Sequence, residues 1–283
     1  MNARVKIVLV LATCLLAASP ADPTIEQKTL RLRAQWEPRL EADGLRSVVA
    51  PPFVIAGDGD ESQLAVYRDR TILAAAHALK ATYFDKDPQE PILILLFESE
   101  VSYKRLAKKW FNDEQVPHFG FFRPTDHVML MNVATGTGTL VHELTHALIA
   151  PDFPAVPSWF NEGLASLYEQ CTVGPDTIEG RVNWRLPALQ QAVRAVALRP
   201  LSEMINDPDF YGARLVGLNY AQARYLLFYL QEQHLLRTYY KQFRDHAAAD
   251  PTGLSTLQKL IAPRTLDQFD KQWQTWVLQL RFE

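Results

Sequence analysis

The spacing of apolar residues along the chain predicts both helices and short strands. Residues 24–47 form an amphipathic, strongly charged segment that we expect to be one helix or a pair of helices. Pro51 and Pro52 end this pattern. Two helices are predicted by apolar residues at helical spacing, at 61–83 and 98–111. Two buried strands are predicted by short apolar runs, at 53–56 and 91–97.

The second half of the chain is predicted to be mainly helical. Residues 120–122 and 127–132 read as the two strands of a hairpin, and a helix at 139–150 follows them. A further helix begins after Ser158, a suitable N-cap residue, and ends near Gln170. The remaining helices are predicted at 183–197, 220–233, 234–246 and 266–280. Together these elements indicate an α+β fold with a small mixed sheet and a mostly helical C-terminal portion.

The first residues have the pattern of a signal peptide. Arg4 and Lys6 supply positive charge, residues 7–18 are almost entirely apolar, and a run of small residues ends at Ala21. We expect cleavage after Ala21 and export to the periplasm or the extracellular space. Lipid attachment at Cys14 is the minor alternative. No stable membrane span is expected after cleavage, because the apolar run is shorter than the roughly 20 residues that cross a bilayer.

The amino-acid composition bears on the binding partner and on disulfide bonds. The net charge of −3 becomes −5 when the charges of Arg4 and Lys6 are removed, and no basic cluster stands out. This argues against a nucleic-acid partner. Cys171 is the only cysteine after the signal segment, so no intrachain disulfide is expected.

Residues 142–146, His-Glu-Leu-Thr-His, match the H-E-x-x-H pattern on a predicted helix. Residues four apart lie on one helix face, so His142 and His146 can both direct a ring nitrogen at one metal ion. Glu143 lies about 100° around the helix and can reach a water molecule there without binding the ion itself. Hydrolysis needs this division of roles, since bound zinc lowers the pKa of water to about 7 and a carboxylate accepts the proton.

A catalytic zinc site has three protein ligands and a water molecule, so a third ligand is needed. The downstream candidates are Asp152, Glu162, Glu169 and Cys171. We favour Glu162, which lies in the first turn of the helix after Ser158, and we expect Gly163 to let this helix approach the first one closely. Asp152 is better suited to hold the second ring nitrogen of a histidine ligand. Glu169 is open between a site role and a solvated helix position, and Cys171 is more typical of a small buried residue.

The sequence around these residues resembles the gluzincin clan of metallopeptidases. Residues 157–165, Pro-Ser-Trp-Phe-Asn-Glu-Gly-Leu-Ala, are most similar to the W-[FL]-x-E-G-L-A block of small bacterial peptidase-MA-like domains. In that family the Glu of the block is the third zinc ligand, which corresponds to Glu162. Fifteen residues separate His146 from Glu162, fewer than in the larger gluzincins. A metzincin site is disfavoured because Ile149 and Asp152 stand where its Gly and third His would fall.

The resemblance covers roughly residues 53–170 and implies a zincin-like domain that binds one Zn²⁺. It implies that an edge strand, which we expect at 127–132, pairs with an extended peptide in the cleft. It also implies a tyrosine that stabilises the oxyanion formed from the peptide carbonyl. Tyr220 is the candidate for this role, and Tyr211 is its rival.

These observations predict an exported zinc metallopeptidase that hydrolyses a peptide or protein substrate, with Glu143 as general base. Two alternatives stay open: a metal-dependent hydrolase acting on another amide of the cell envelope, and a binding or assembly factor that uses the cleft without catalysis. The expected organisation has four parts: a signal peptide at 1–21, a helical lead-in at 22–52, a zincin-like catalytic subdomain at 53–172 and a helical subdomain at 173–283.

Overall fold

A computed structural model describes residues 22–282, so the expected signal peptide and Cys14 lie outside the described residues. The segment that follows contains a single helix, α1 (Ile25–Ala42), whose N-terminus is capped by the side chain of Thr24. Strand β1 (Arg46–Ala50) comes next and pairs with β2 (Phe53–Gly57) in antiparallel orientation. The sequence pattern predicts β2 but not β1.

Helices alternate with the remaining strands in the first half of the chain. The predicted helix at 61–83 is a continuous helical segment that consists of α2 (Glu61–Val66), a π-helical stretch (Tyr67–Leu73) and α3 (Ala74–Thr82). The elements that follow are β3 (Ile92–Phe97), α4 (Glu100–Phe111), β4 (Gly120–Arg123), β5 (Val128–Asn132), α5 (Gly138–Asp152) and α6 (Ser158–Leu167). Pro157, not Ser158, occupies the N-cap position of α6.

The main sheet has five strands in the order β1-β2-β3-β5-β4. The three central strands are parallel, whereas β1 and β4 run antiparallel to their neighbours. The predicted α+β class with a small mixed sheet is therefore confirmed. The expected edge strand at 127–132 is wrong, because β5 inserts between β3 and β4 and leaves β4 at the edge.

The sheet is covered by helices on both faces. Successive side chains of a strand point to opposite sides, which explains why all of β3 is buried. On one face, Ile94 lies in register with Ile55 and Met129 and belongs to the larger core, which includes residues of α3 and α5. On the other face, Leu95 belongs to a smaller core with residues of α1 and α4. The sheet is thus a central layer, and α5 lies on the side of the larger core.

The C-terminal part is mainly helical, as expected. A two-stranded hairpin that the sequence pattern does not predict, β6 (Cys171–Val173) with β7 (Ile178–Gly180), follows α6. The helices are α7 (Leu186–Arg194), α8 (Leu201–Ile205), α9 (Val216–Glu232), α10 (Leu236–His246), α11 (Leu254–Ile261) and α12 (Leu266–Gln279). None of the helices in residues 22–282 has the length and apolar character needed to cross a membrane.

Helix α6 connects the sheet and the C-terminal helices. It packs on α5 and most extensively on α9. A Cβ atom added at Gly163 would lie 3.2 Å from Ala223 and 3.1 Å from Leu227, both in α9. The expectation that Gly163 lets α6 approach α5 is therefore wrong, and the glycine instead permits close contact with α9.

One hydrophobic core runs through most of the molecule. It extends from β2 to α12 and contains buried residues from both expected subdomains. The expected boundary between residues 172 and 173 falls inside β6, and the boundary between 52 and 53 falls between two paired strands. The metal-site motif lies on α5 and α6, where the sheet layer meets the helical part.

Candidate metal centre

The two histidines of the H-E-x-x-H motif lie one turn apart on α5 and face the same point. Their Nε2 atoms are 3.1 Å apart, and their ring centroids are separated by 4.7 Å. The opposite face of the helix carries Leu140, Leu144 and Leu148, which are buried in the larger core. This burial fixes the rotation of α5 and directs His142 and His146 away from the core.

Glu162 in the first half of α6 completes the group. Its Oε2 atom lies 3.4 Å from the Nε2 atom of His142 and 3.4 Å from that of His146. The three atoms form a triangle with nearly equal sides. Ligand atoms about 2.0–2.1 Å from a tetrahedral zinc ion are separated by about 3.3 Å, so the triangle has the dimensions that one such ion requires.

The hydrogen bonding of Glu162 also fits a bound cation. Its Oε1 atom accepts a hydrogen bond of 2.8 Å from the hydroxyl of Tyr211. Its Oε2 atom is buried and has no hydrogen-bond donor among residues 22–282. Buried polar atoms rarely lack a partner unless a ligand or solvent supplies one. Within the described part of the chain, His142, His146 and Glu162 therefore form a group compatible with a metal ion.

Other side chains orient the two histidines from outside the triangle. The Nδ1 atom of His146 lies 2.9 Å from Oδ1 of Asn161, the residue before Glu162. The Nδ1 atom of His142 lies 3.3 Å from Oε1 of Glu169. Arg185 donates two hydrogen bonds to Glu169, of 3.1 Å and 2.7 Å. The contact with Asn161 restrains the ring of His146, whereas Nδ1 of His142 makes no hydrogen bond within residues 22–282 and has the charge of Glu169 as its neighbour. Both Nε2 atoms stay free to bind a metal.

Asp152 and Glu169, two carboxylates that follow the motif in the sequence, have different positions relative to the histidines. Asp152 is wrong as a partner of a ligand ring, because its oxygens accept hydrogen bonds from Asp85, Lys86, Tyr240 and Arg244 at the far end of α5. Glu169 occupies that position instead. Its largely buried side chain contacts His142, so it is not a solvated helix residue. Cys171 lies in the cleft beside the site but outside the ligand group.

The carboxylates make the centre strongly attractive for positive charge. Burial lowers the pKa of His142, but the contacts with Glu162 and Glu169 outweigh burial and raise this pKa to about 10. Burial raises the pKa of Glu169, and the contacts with His142 and Arg185 reverse this and bring it down to about 2. Protons and a metal ion compete for the same histidine nitrogen, so a cation bound there would displace the proton.

Glu143 lies beside the ligands in the wall of a cleft. Its Oε2 atom accepts a hydrogen bond of 3.1 Å from the backbone N–H of Phe122 on the edge strand β4. Burial raises the pKa of its carboxyl group. A raised pKa suits a carboxylate that must accept a proton during a reaction near neutral pH. The position outside the triangle agrees with a role that does not include metal binding.

Both candidate tyrosines lie near the third ligand. Tyr211 donates its hydrogen bond to Glu162 and is half exposed. Tyr220, in the first turns of α9, lines the cleft, and the guanidinium of Arg185 lies 5.2 Å from its ring. Burial and the nearby charge of Glu162 raise the pKa of both hydroxyl groups, so both remain protonated donors.

The cleft beside the centre has a volume of about 650 Å³. His142 and Glu143 lie in its wall, together with Gly120 and Phe121 of β4. The edge strand thus runs beside the proposed general base. No protein-family model matches the chain, and a search of curated proteins finds no match. The resemblance to the gluzincins therefore rests on the residues of its two motifs and stays a prediction.

Proposed function

We propose that the protein is a zinc-dependent hydrolase that cleaves peptide bonds. The triangle of His142, His146 and Glu162, in which Oε2 of Glu162 has no donor among residues 22–282, is the observation that carries this proposal. Two imidazoles, one carboxylate and a position open to water are the ligand set typical of catalytic zinc. The closeness of Glu143 to this position favours catalysis over binding alone.

In the proposed hydrolysis, the metal ion and the side chains around it have different roles. A bound zinc ion would polarise the substrate carbonyl and lower the pKa of water. Glu143 accepts the proton of the attacking water and passes it to the leaving amine. Phe122 holds the Glu143 carboxylate in place through its backbone N–H. Asn161 holds the ring of His146, and the charge of Glu169 faces Nδ1 of His142.

Tyr220 is the better candidate for the oxyanion donor. Its side chain lines the cleft in which a substrate carbonyl would lie. The hydroxyl of Tyr211 already donates to Glu162, which suits a role in holding the third ligand. A donor aimed at the oxyanion stabilises the charge that develops in the transition state.

A peptide is favoured as the substrate by the edge strand. The backbone N–H of Asn132 in β5 donates to the carbonyl of Phe119, and the register places Gly120 opposite Met131. In an antiparallel pair every second residue bonds to the neighbouring strand, so the backbone groups of Gly120 and Phe122 do not bond to β5. The backbone groups of Gly120 and the carbonyl of Phe122 therefore face the open edge of the sheet, whereas the N–H of Phe122 donates to Glu143. An extended peptide can pair with such an edge by main-chain hydrogen bonds.

Metal content and hydrolysis, measured on the same protein preparations, test the proposal. The wild type is expected to hold one zinc ion and to cleave members of a mixed peptide library. Glu143→Ala should keep the zinc and lose roughly 10²- to 10⁴-fold in rate, because only the base is removed. Glu162→Gln should lose both zinc and activity. Glu179→Gln, an exposed carboxylate on β7, is the matched control and should change neither.

Three results would contradict the proposal. Wild-type protein without stoichiometric zinc after purification and zinc loading would exclude the metal role. Equal hydrolysis by the wild type and Glu143→Ala would exclude the assigned base. Zinc binding with no cleavage of any peptide, but with cleavage of a cell-wall amide, would replace peptide by the alternative amide substrate.

A further inference from the structure

Two large aromatic side chains in the wall of the cleft are unusually exposed. Phe119 is 47% exposed and Trp184 is 57% exposed. Phe119 precedes the edge strand β4, whereas Trp184 lies between the β6–β7 hairpin and α7. Exposed aromatic residues in a concave site commonly contact a ligand. The two parts of the chain that flank the metal centre thus each contribute one such residue.

Trp184 is held in place by contacts that reach the metal centre. The guanidinium of Arg185 lies 4.1 Å from the centroid of the Trp184 ring and 5.2 Å from that of Tyr220. Stacking of this kind restrains both rings. The same guanidinium donates two hydrogen bonds to Glu169, which contacts His142. An aromatic surface fixed before binding loses little freedom when a ligand covers it.

The charges of the cleft are balanced. In the described part of the chain, its wall has four ionisable groups other than tyrosine and cysteine: His142, Glu143, Glu169 and Arg185. The first two belong to the proposed catalytic centre, and the other two neutralise each other in an ion pair of 2.7 Å. No charge remains to bind an acidic or basic substrate side chain. The cleft therefore favours an uncharged occupant.

We propose that the cleft selects an extended, uncharged peptide segment and binds one of its bulky apolar side chains against Trp184 and Phe119. This inference rests on the proposed function and adds the substrate class to it. The backbone of the peptide pairs with β4 beside Gly120. A side chain at Gly120 would lie 2.6 Å from the carbonyl oxygen of Leu130, and φ of this glycine is +143°. Glycine is therefore required here by the close approach of β5, and the outward-facing backbone groups of Gly120 lie at the open edge of the sheet.

Binding to zinc-loaded Glu143→Ala protein tests the inference without turnover. The probes are peptides capped at both ends that differ at one position, which is Ala, Leu, Phe, Asp or Lys. Leu and Phe peptides should bind roughly 10-fold more tightly than the Ala peptide or better, because burial of the larger apolar surface is favourable. The Asp and Lys peptides should bind no better than the Ala peptide.

Substitution of Trp184 shows whether this residue causes the preference. In the Glu143→Ala background, Trp184→Ala should remove most of the preference for Phe over Ala, and Trp184→Phe should retain part of it. Phe282→Ala is the matched control, since Phe282 is 51% exposed and lies outside the cleft wall. This control should keep the full preference. Unchanged zinc content in each variant shows that the centre is intact.

The outcomes separate this inference from the proposed function. Tightest binding by the Asp or Lys peptide, or an undiminished Phe preference in Trp184→Ala, would overturn the inference even when the wild type hydrolyses peptides. A preference for Phe that depends on Trp184, in a protein that cleaves none of these peptides, would support the inference and contradict the proposed function.

Discussion

Two buried carboxylates, Asp152 at the C-terminal end of α5 and Glu162 on α6 opposite the histidines of α5, have opposite hydrogen-bonding patterns. At the C-terminal end, Oδ1 of Asp152 accepts hydrogen bonds from the backbone of Asp85 and Lys86, and Oδ2 accepts them from Tyr240 and Arg244. Every acceptor position used by this side chain is occupied by a protein donor. Opposite the motif half of α5, Oε2 of Glu162 faces two histidine nitrogens and has no donor in residues 22–282.

The difference distinguishes a structural carboxylate from a ligand. The donors to Asp152 belong to the segment after α3 and to α10, so this residue joins these two parts of the chain to the end of α5. Nothing is left for an external partner to bind. Glu162 instead leaves a buried acceptor directed at two other potential ligands. An unsatisfied polar atom costs free energy unless a ligand completes the site, and this asymmetry points to metal binding.

The largest predicted effect is at Asp152, and it concerns stability alone. Asp152→Asn places an amide donor against the donors of Tyr240 and Arg244, so the free energy of unfolding should fall by about 3 kcal/mol. Zinc affinity should stay at the wild-type value. Denaturant unfolding of the zinc-free proteins and a competitive zinc titration measure the two quantities. Asp245→Asn is the control, since Asp245 pairs with the same Arg244 but is exposed and should contribute about 1 kcal/mol or less.

The effect at Asp152 should also depend on pH in a defined direction. Burial raises the pKa of Asp152, but hydrogen bonds from Tyr240 and Arg244 outweigh it and lower the pKa below the ordinary value. The ionised carboxylate therefore stabilises the folded state fully above the unfolded pKa of about 4. The stability difference between wild type and Asp152→Asn should shrink as the pH falls below this value. A difference that grows on acidification would contradict this account.

The next predicted effect is at Glu169 and concerns the metal. Glu169→Gln keeps the size of the side chain but removes the negative charge that faces Nδ1 of His142. Zinc affinity should fall about 10- to 100-fold, as for other partners of ligand histidines. A competition titration with a zinc indicator measures it, and Glu179→Gln provides the exposed control. Equal zinc affinities for Glu169→Gln and the wild type would mean that Glu169, like Asp152, stabilises the fold and does not support metal binding.

The sequence predicted what depends on local spacing. His142, Glu143 and His146 lie on a helix as expected, and Glu162 reaches them because a short proline-containing loop folds α6 back. Helical and apolar periods also located nearly all of the longer elements. These features depend on residues that are close in sequence, so a pattern of a few residues is sufficient to predict them.

The sequence patterns did not predict features that depend on packing between residues far apart in the chain. The sheet order decides which strand is the edge, and β5 became internal because it pairs with both β3 and β4. The crossing of α6 and α9 decides what Gly163 contacts. The choice between Asp152 and Glu169 depended on α10, which supplies donors to Asp152, and on the segment after α6, which places Glu169 beside His142. The strands β6 and β7 have three residues each, too few for a period to appear.

The smallest predicted effect lies at the start of α5 and affects both properties. A Cβ atom at Gly138 would lie 2.3 Å from the backbone carbonyl oxygen of Glu169, a contact that real Cβ atoms do not make. Gly138→Ala should therefore displace Glu169 from His142. We expect the free energy of unfolding to fall by about 1 kcal/mol, together with a measurable loss of zinc affinity.

The control for Gly138→Ala is a helical glycine with open space around it. For Gly217, near the start of α9, a Cβ atom would meet no atom of the described residues within 4 Å beyond its chain neighbours and its own helix backbone. Gly217→Ala should leave zinc affinity unchanged and stabilise the protein by about 0.5 kcal/mol, because alanine restricts the unfolded chain more than glycine does. If Gly138→Ala lowers stability but not zinc affinity, the approach of α5 to Glu169 is a packing contact only. If Gly138→Ala lowers both the free energy of unfolding and the zinc affinity, the packing at the start of α5 contributes to metal binding. Asp152→Asn, at the other end of α5, should lower only the free energy of unfolding.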